Sequence, residues 1–443
     1  MRERRGWPSI VTPERVALLV PLLLGALISW FYTSVNTGLG ETGKVAVALL
    51  SRGELADPYI IPTGPTAHVS PAIAGFVALV YGLLGIGTAE ARFFLGLAAA
   101  AAYAASALVA IRILREFEVA PRLLWLAAGV FAFMPFALFN AVVWMRQWDQ
   151  PFAALILLLG WLTVVRARRG ADPLACGAAL GALGGMGGLV SPSVLPPLGL
   201  SLLWLSWLAW RGRIGRRWWP GAALGGMLLA AFLLPWGLRN QHALGHFILT
   251  RSNFGLERAV GNAPPSVAAP WQQIHPFQSI EAAQEVARVG EVAFMRTRKA
   301  EALSWIGEDI QGFVLRSIKR SKHVVFPARK MVDFFPIVGP TGPWIYMNAI
   351  GFIKLLSFAF MIYRRCKIVD LFLFLLLPAL PYTITHINIR YSYLVYFCGI
   401  ITIVLAMNKF SGPRGIPILR RPRILSFLPR QLAPQRLSGR LSS

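Results

Sequence analysis

The chain has 443 residues, of which 56% are hydrophobic and only 14% are charged, and its mean hydropathy is +0.57. Soluble domains carry about a quarter charged residues, so these values exclude an ordinary soluble protein and predict an integral membrane protein. The net charge of +25 does not indicate nucleic acid as a partner, because the arginines lie mostly in short loops between apolar runs and no nucleic-acid-binding motif accompanies them.

The apolar runs predict an all-α polytopic fold with about ten transmembrane helices. These runs lie at residues 14–34, 90–113, 122–143, 150–166, 172–190, 193–210, 219–237, 343–363, 368–386 and 391–408. The basic N-terminus "MRERRGWPS" leads into a run that is too long for a signal-peptide core, which indicates a retained first span.

Basic loops predict the orientation of these spans. If the N-terminus lies inside, the inner connections include "RILREFEVAPR", "RARRG", "RGRIGRR" and "YRRCK", each of them basic as the positive-inside rule requires. The outer face then carries the turns near Asp149, Ser191 and His386. It also carries two longer segments, residues 35–89 and 238–342. The short apolar run 71–87 is interpreted as an interfacial or re-entrant helix, because a span there would place the basic clusters outside.

Four regions follow from this organisation. They are an N-terminal transmembrane module (1–237) with its first outer loop (35–89), a hydrophilic extracytoplasmic insertion (238–342), C-terminal transmembrane helices (343–410) and a basic cytoplasmic tail (411–443) without periodicity, which is typical of disorder. In the insertion, Ala282, Val286, Val289 and Ala293 form one helical stripe. We expect its amphipathic helices to lie on the outer membrane surface with the apolar face down.

Two outer acids are candidates for chemistry. Glu41 lies just beyond the first span, where partial burial would raise the pKa of its carboxyl towards that of a general base. The alternatives are that Glu41 is an acid near a helix N-cap or a solvated loop residue. Asp149 lies at the outer mouth of a hairpin beside Arg146, where it can serve an outer cavity, pair with Arg146 or cap the following helix.

Other outer residues have side chains suited to phosphate and sugar binding. The stretch "LRNQHALGHFILTRSNFGLERAVGN" contains Arg239, Arg251, Asn253, Glu257 and Asn262, and "PYTITHINIRYSY" contains His386, Arg390 and Tyr391. Arginines at this depth either face a cavity or phosphate or extend to water. The outer histidines His68, His275 and His386 have no HxxxH or HExxH spacing, so no metal site is predicted.

The first outer loop, "GETGKVAVALLSRGELADPYIIPTGPTAHVSPAIAGFVALVYGLLG", resembles that of bacterial GT-C glycosyltransferases, which are related to protein O-mannosyltransferases and lipid A aminoarabinose transferases. The residues that match in order are Glu41, Gly53, Asp57, Pro58, Gly64, Pro65, Thr66, Ala67 and Pro71. The stretches "PWGLRNQHALGHFILTRSNFGLERAVGN", "HPF…VARVGEVAF…KAEALSWI" and "PYTITHINIRYSYLV" resemble one bacterial branch of the same group.

This resemblance implies a GT-C fold, with extracytoplasmic loop helices over a membrane-facing cavity. It also implies a membrane glycosyltransferase of the bacterial inner membrane that uses a polyprenyl-phosphate-linked sugar, acts on the periplasmic side and inverts the anomeric centre. Glu41 matches the position of the catalytic base, Asp149 the second-loop acid and Arg390 a ligand of the donor phosphate. The sugar and the acceptor are not specified by these motifs.

The working hypothesis places catalysis at Glu41 and Asp149 and the donor phosphate at Arg390, Arg239 and Arg251. The remaining candidates for substrate binding are His68, Asn253, Glu257, Asn262, His386 and Tyr391. No cofactor is required; a divalent cation is compatible with the motifs, although the first-loop acid stands alone where a paired acidic motif would favour a metal. Two other classes of protein remain open. One is a secondary transporter, which is favoured by Lys354 and the glycine-rich stretch 181–192. The other is a non-catalytic lipid-binding protein.

Overall fold

The computed structural model describes residues 11–35, 38–329, 339 and 341–411. Regular structure in this part of the chain is helical, and the isolated bridge between Ala56 and Pro65 is its one β-type pairing. The all-α fold predicted from the sequence is therefore confirmed. Most of the predicted tail, from residue 412 onwards, lies outside the described residues.

The helices before the large insertion are α1 (Pro13–Phe31), α2 (Gly40–Arg52), α3 (Pro71–Leu84), α4 (Ala89–Glu116), α5 (Pro121–Ala132), α6 (Pro135–Phe139), α7 (Gln150–Arg168), α8 (Pro173–Val190), α9 (Leu195–Trp210) and α10 (Trp218–Leu244). Those that follow are α11 (Phe254–Asn262), α12 (Pro270–Ile274), α13 (Ile280–Val289), α14 (Glu291–Glu308), α15 (Ile310–Val325), α16 (Thr341–Tyr363), α17 (Ile368–Leu371), α18 (Leu380–Ile384), α19 (Ile389–Tyr393) and α20 (Tyr396–Ser411). Asn140–Trp144 and Phe372–Leu376 are π-helical, and Pro192–Val194 is a 3-10 turn.

Seven of the described helices are long and apolar enough to cross a membrane, namely α1, α4, α7, α8, α9 with its preceding turn, α10 and α16. An eighth candidate joins α5 to α6 and the π-helical stretch, and it is bent by 45°. The bend lies in the short break between α5, which ends at Ala132, and α6. These eight elements correspond to the first eight predicted spans, so the chain is a multi-pass membrane protein.

The ninth and tenth predicted spans are not continuous helices. Over residues 368–386 the chain forms α17, a π-helical stretch and α18, with Pro378 and Pro381 at the break between the last two. Residues 391–408 fall on the end of α19 and on α20, which has 16 residues. Eight of the predicted spans therefore correspond to helices that can cross a membrane, one of them bent. The last two predicted spans are each divided into shorter helices.

The short apolar run after the first outer loop forms α3, which has 14 residues. At 1.5 Å per residue it is about 21 Å long, shorter than the ~30 Å hydrocarbon core of a bilayer. Its length does not suit a span, in keeping with the interpretation of this run as an interfacial or re-entrant helix.

The insertion contains a small core of its own. Ala282 and Val286 of α13 pack with Phe294 of α14, with Leu256 of α11 and with Tyr59 of the first outer loop. The predicted continuous stripe is wrong at its end, because the chain turns at Gly290, whose φ is +84°. Val289 is exposed as a result, and Ala293 belongs to the next helix.

Glycines allow α8 and α10 to approach each other closely. A Cβ on Gly181 would lie 1.9 Å from the carbonyl oxygen of Gly225, and one on Gly225 would lie 2.4 Å from that of Gly177. Small residues at such spacing let the backbones of membrane helices pack together. Close packing against α10 therefore explains why the stretch 181–192 is rich in glycine, a feature that the sequence analysis took as favouring a transporter.

We expect Gly225→Ala to destabilise the protein by roughly 1–3 kcal/mol, because the clashing atoms belong to the backbone of α8 and cannot rotate away. The measurement is thermal unfolding in detergent. Gly226→Ala is the matched control, since a Cβ there meets nothing within 4 Å and gains the same helix propensity. Equal stability of the two variants would contradict the close packing.

Candidate active site

The first outer loop is folded by local hydrogen bonds of its motif residues. The carboxylate of Asp57 accepts the backbone N–H groups of Thr63 and Gly64 at 2.7 and 2.8 Å and pairs with Arg52. Backbone bonds from Asp57 to Gly64 and from Thr66 to Leu55 close the turn. The Asp-Pro and Gly-Pro-Thr-Ala elements of the sequence therefore build one rigid turn that leads into His68.

Glu41 lies in the first turn of α2, where the helix dipole favours a negative charge. Its Oε1 is 2.9 Å from Nε2 of His68 and 3.5 Å from Nε2 of His275. The other ring nitrogen of His68, Nδ1, lies 3.0 Å from the hydroxyl of Tyr59. All four side chains are buried, so they form one enclosed polar cluster, here called the Glu41 cluster.

In the Glu41 cluster, the neighbouring charges shift the pKa values of Glu41 and His68 in the direction opposite to that of burial. Burial alone raises the pKa of Glu41, but the charge and hydrogen bond of His68, together with the charges of His275 and Arg390, lower it to about 2. For His68, burial lowers the pKa, but Glu41 outweighs it and the net pKa is raised. The sequence-based expectation of a raised pKa at Glu41 is therefore wrong, because it omitted a histidine brought in from residue 68.

His275 is held as a neutral imidazole. Burial is the main reason why its pKa is lowered to about 3, and its Nδ1 accepts the backbone N–H of Phe277 at 3.2 Å. An imidazole whose Nδ1 accepts a hydrogen bond carries its proton on Nε2. That Nε2 lies 3.5 Å from Oε1 of Glu41, and it has no hydrogen-bond partner among the described residues.

The Glu41 cluster also has the donor atoms of a metal site. Ligand atoms of Glu41, His68 and His275 lie within 4.8 Å of one another, so a divalent cation is compatible with this geometry. The arrangement fits a metal poorly as it stands, because a protonated Nε2 on His275 cannot donate a lone pair. Metal binding would require the other tautomer and the loss of the hydrogen bond from Phe277.

Glu291 of α14 holds the first outer loop against the insertion. Its buried carboxylate accepts the hydroxyl of Thr66, the N–H of Ala67 at 2.9 Å and the hydroxyl of Ser252 at 2.7 Å. Thr66 in turn accepts the backbone N–H of His68 at 2.9 Å. Glu291 is therefore a positioning residue for His68; it lies in the stretch "VARVGEVAF", but the sequence analysis assigned it no role.

A second group of residues lines an open cavity of about 790 Å³. Six of the residues singled out from the sequence line it together, namely Asp149, Arg251, Asn253, Glu257, Arg390 and Tyr391. Trp148, Gln150, Ser193 and Tyr382 are among the lining residues that sequence reasoning did not select. Residues from the second outer turn, the insertion and the C-terminal helices thus converge on one cavity.

Asp149 pairs across this cavity with Arg251. The distance from its carboxylate to the Arg251 guanidinium is 3.2 Å, and Nε of Arg251 donates to the Ser70 hydroxyl at 2.9 Å. Arg146, which the sequence suggested as a partner, donates instead to the backbone carbonyl of Val35. The Asp149 side chain also does not cap the following helix, so both alternatives to a cavity position are wrong.

Arg390 supplies a cation that has no carboxylate partner within ion-pair distance in the described part of the chain. Its guanidinium lies 4.0 Å from the centre of the Trp148 ring and donates to the Tyr391 hydroxyl at 3.0 Å. Its buried Nε has no hydrogen-bond partner among the same residues. A planar guanidinium held in this way retains donors for a phosphate or carboxylate.

Glu257 is the second acid of the cavity, in the first turn of α11. Asn253 donates to its Oε1 at 3.4 Å. Burial raises the pKa of Glu257, and the positive charges of Arg390 and His68 reduce this effect without reversing it. The cavity therefore contains a carboxyl whose pKa is higher than usual, which is the property that had been expected of Glu41.

Five predicted site residues do not line the cavity. Arg239 donates to the backbone carbonyls of Leu55 and Thr66 at 2.8 Å each, and Asn262 binds Arg320 and the carbonyl of Ile384. His386 stacks on Trp271 with ring centres 5.7 Å apart. His68 and Glu41 belong to the buried cluster described above.

No family model matches the sequence, and no curated protein matches it. Among solved structures, the oligosaccharyltransferase AglB from Archaeoglobus fulgidus, in complex with an inhibitory peptide and a dolichol-phosphate, is 17% identical with a TM-score of 0.46; the match covers 88% of this chain and 50% of that one. ArnT from Cupriavidus metallidurans, bound to undecaprenyl phosphate, is 15% identical with a TM-score of 0.34, and the match covers 88% of this chain and 77% of that one.

The chain spans about half the length of AglB. Similarity at this level does not assign an activity, a donor or an acceptor to this chain. What the described residues define by themselves is a polytopic helical membrane protein with a polar cavity formed by its loops.

The low pKa of Glu41 predicts a pH dependence of stability. Its folded value of about 2 lies below the ordinary 4.5, so the stabilisation is present above pH 4.5 and is lost as the pH falls towards 2. We expect wild type to lose on the order of 3 kcal/mol more than Glu41→Gln over this range. Chemical unfolding in detergent at several pH values measures it.

The control for this comparison is Glu308→Gln, which changes an exposed carboxylate on α14. It should follow the wild-type pH dependence. A Glu41→Gln variant that also follows the wild type would show that Glu41 is not held at a low pKa.

Proposed function

We propose that the protein is a membrane glycosyltransferase that moves a sugar from a polyprenyl-phosphate donor to an acceptor hydroxyl, with inversion. The observation that carries this proposal is the cavity in which two carboxylates, Asp149 and Glu257, lie together with two guanidinium groups, Arg251 and Arg390. Glycosyl transfer from a phosphate needs both a proton acceptor and cations for the phosphate that leaves. The GT-C resemblance of the first outer loop supports the same class.

Arg390 is the proposed ligand of the donor phosphate. It lines the cavity without a carboxylate partner, whereas Arg251 is already paired with Asp149. Cations aimed at a leaving phosphate stabilise charge that develops in the transition state, often the largest single contribution to catalysis. Arg251 is the second proposed ligand, available when Asp149 turns to the acceptor; Arg239 is the least favoured, since its donors bind loop carbonyls.

Glu257 is the proposed proton acceptor. A base is most effective when its pKa lies near the working pH, and burial moves Glu257 in that direction whereas the neighbours of Glu41 lower its pKa to about 2. The hypothesis that Glu41 is the base is thus less well supported than the sequence suggested. Glu41 is instead proposed to hold His68 and to contribute negative charge beside the cavity.

In the proposed step the acceptor oxygen attacks the anomeric carbon while its proton passes to the Glu257 carboxylate. The bond between the anomeric carbon and the phosphate oxygen breaks, and the electron pair leaves with the phosphate, which Arg390 neutralises. Asp149 orients the acceptor by accepting a hydrogen bond. Attack opposite the phosphate inverts the anomeric centre, and no step requires a metal.

The cavity is proposed to face the periplasm of a bacterial inner membrane. The basic connections "RARRG" and "RGRIGRR" lie at the opposite ends of the spans from the residues that line the cavity. The positive-inside rule assigns such connections to the cytoplasm. A donor carried on a lipid would then be used on the outer face.

Replacing Glu257 with Gln should slow release of sugar from the donor by roughly 10²–10⁴-fold, because the proton acceptor is lost. Purified protein in nanodiscs is incubated with a panel of radiolabelled polyprenyl-phosphate sugars, and free and lipid-linked sugar are separated. The wild-type rate should fall as the pH drops through a midpoint above 4.5. This acidic decline should persist in Glu41→Gln.

Glu41→Gln is thus the matched control, an isosteric change of a neighbouring carboxylate. A larger loss in Glu41→Gln than in Glu257→Gln, with activity retained down to pH 3, would assign the base to Glu41. A wild-type protein that releases no sugar from any donor of the panel would contradict the glycosyltransferase proposal.

Chelation is a separate test of the Glu41 cluster. Because His275 presents a protonated Nε2 to Glu41, we expect sugar release to be unchanged after dialysis against EDTA, and we expect metal analysis to find less than one zinc ion per chain. Loss of activity on chelation, restored by a divalent cation, would show that the cluster takes the other tautomer and binds a metal.

A further inference from the structure

A second cavity lies on the other side of the segment that carries Arg390. It is an open pocket bounded by the bend before α6, the end of α15, α16 and the start of α20. None of the candidate active-site residues lines it. Its walls are mainly apolar, with Lys354 and three tyrosines, Tyr346, Tyr393 and Tyr396, as the main polar side chains.

Lys354 is the unusual residue of this cavity. It lies in the middle of α16, thirteen residues after Thr341, within a helix long and apolar enough to span the membrane. In the described part of the chain no carboxylate lies within ion-pair distance of it, and its ammonium contacts the face of the Tyr396 ring at 5.9 Å. A charge at such a position is costly and usually serves a ligand or a transport path.

The aliphatic part of the Lys354 side chain packs against α20 at Gly399. A Cβ on Gly399 would lie 2.4 Å from Cδ of Lys354, so the lysine crosses α20 at a position where a side chain would displace it. From there it reaches Tyr396, the first residue of α20. The ammonium thus lies beside the first turn of α20 rather than against its own helix.

A hydrogen-bond donor is available beside it. The hydroxyl of Tyr393 is buried and has no hydrogen-bond partner in the described part of the chain, and Tyr393 lines the cavity. Buried hydroxyls are normally paired, and an unpaired one calls for an explanation. A lysine and a phenol that both line an apolar cavity offer donors to an anionic oxygen attached to an apolar chain.

The cavity lies beside the lipid-facing part of the protein. Its wall α16 exposes Phe352, Leu355 and Leu356 on its outer surface, as a helix at the edge of a membrane bundle does. A lipid can thus supply both the apolar chain and the anion. We propose that this cavity binds the phosphate of an anionic lipid through Lys354, with Tyr393 donating a hydrogen bond.

The phosphate can come from a polyprenyl phosphate or from an anionic bilayer phospholipid, which share this chemistry. The test uses the full chain in phosphatidylcholine nanodiscs, with C55 polyprenyl phosphate or phosphatidylglycerol added and bound lipid measured by native mass spectrometry. The neutral polyprenol of the same length shows what the apolar chain contributes. Preference for either phospholipid or polyprenyl phosphate identifies the source, and both outcomes support the site.

We expect Lys354→Met to weaken binding of the preferred lipid about tenfold or more, while Lys354→Arg retains it. Gly399→Ala should weaken it as well, because the stem is displaced although the charge remains. Lys409→Met removes the same charge from the far end of α20 and should leave binding within about twofold of wild type.

Three results would overturn the proposal. The first is polyprenol binding as tightly as its phosphate, and the second is an equal loss in Lys354→Met and Lys409→Met, which would indicate general attraction by positive charge. The third is a loss in Arg390→Gln with none in Lys354→Met or Gly399→Ala, which would place the lipid phosphate in the first cavity. Thermal unfolding of each variant confirms that it is folded.

Discussion

The buried carboxylate of Glu291 is the contact on which the arrangement of the site depends. It lies in the insertion and accepts hydrogen bonds from Thr66 and Ala67 of the first outer loop and from Ser252 before α11. A buried carboxylate is tolerated only when donors surround it, so the loop and the insertion must take up their places together. Thr66 then binds the N–H of His68, and the ion pair between His68 and Glu41 follows from that placement.

One short segment near the C-terminus separates the two cavities. Arg390 and Tyr391 face the first cavity, and Tyr393 and Tyr396, only a few residues later, face the second. Arg390, Tyr391 and Tyr393 all belong to the short helix α19, and successive residues of a helix point about 100° apart, so one helix can supply side chains to both cavities. Each cavity thus receives one cation that lacks a carboxylate partner among the described residues, Arg390 in the first and Lys354 in the second.

Hydropathy and charge were sufficient for the all-α membrane fold and for eight of the spans, because the bilayer imposes both length and apolarity on each helix. The ninth predicted span is interrupted between the π-helical stretch and α18, where Pro378 lies, because proline removes a helix hydrogen bond that hydropathy does not register. For the site, polar residues at helix ends predicted six cavity residues together. The pairing of Asp149 with Arg251 and the role of Glu291 could not be predicted, because they join segments far apart in the chain and leave no pattern in either.

Glu41 and Glu257 both feel the charge of Arg390, yet the pKa of one is lowered and that of the other is raised. Glu41 has a histidine at hydrogen-bond distance, so its ionised form is stabilised and its pKa falls. Among the described residues, the side chain of Glu257 has only the amide of Asn253 as its hydrogen-bond partner, so burial dominates and its pKa rises. When the environment separates the pKa values of two neighbouring acids, one remains a fixed charge while the other can exchange a proton. The identity of the nearest donor, rather than the position in a motif, therefore decides which acid suits proton transfer.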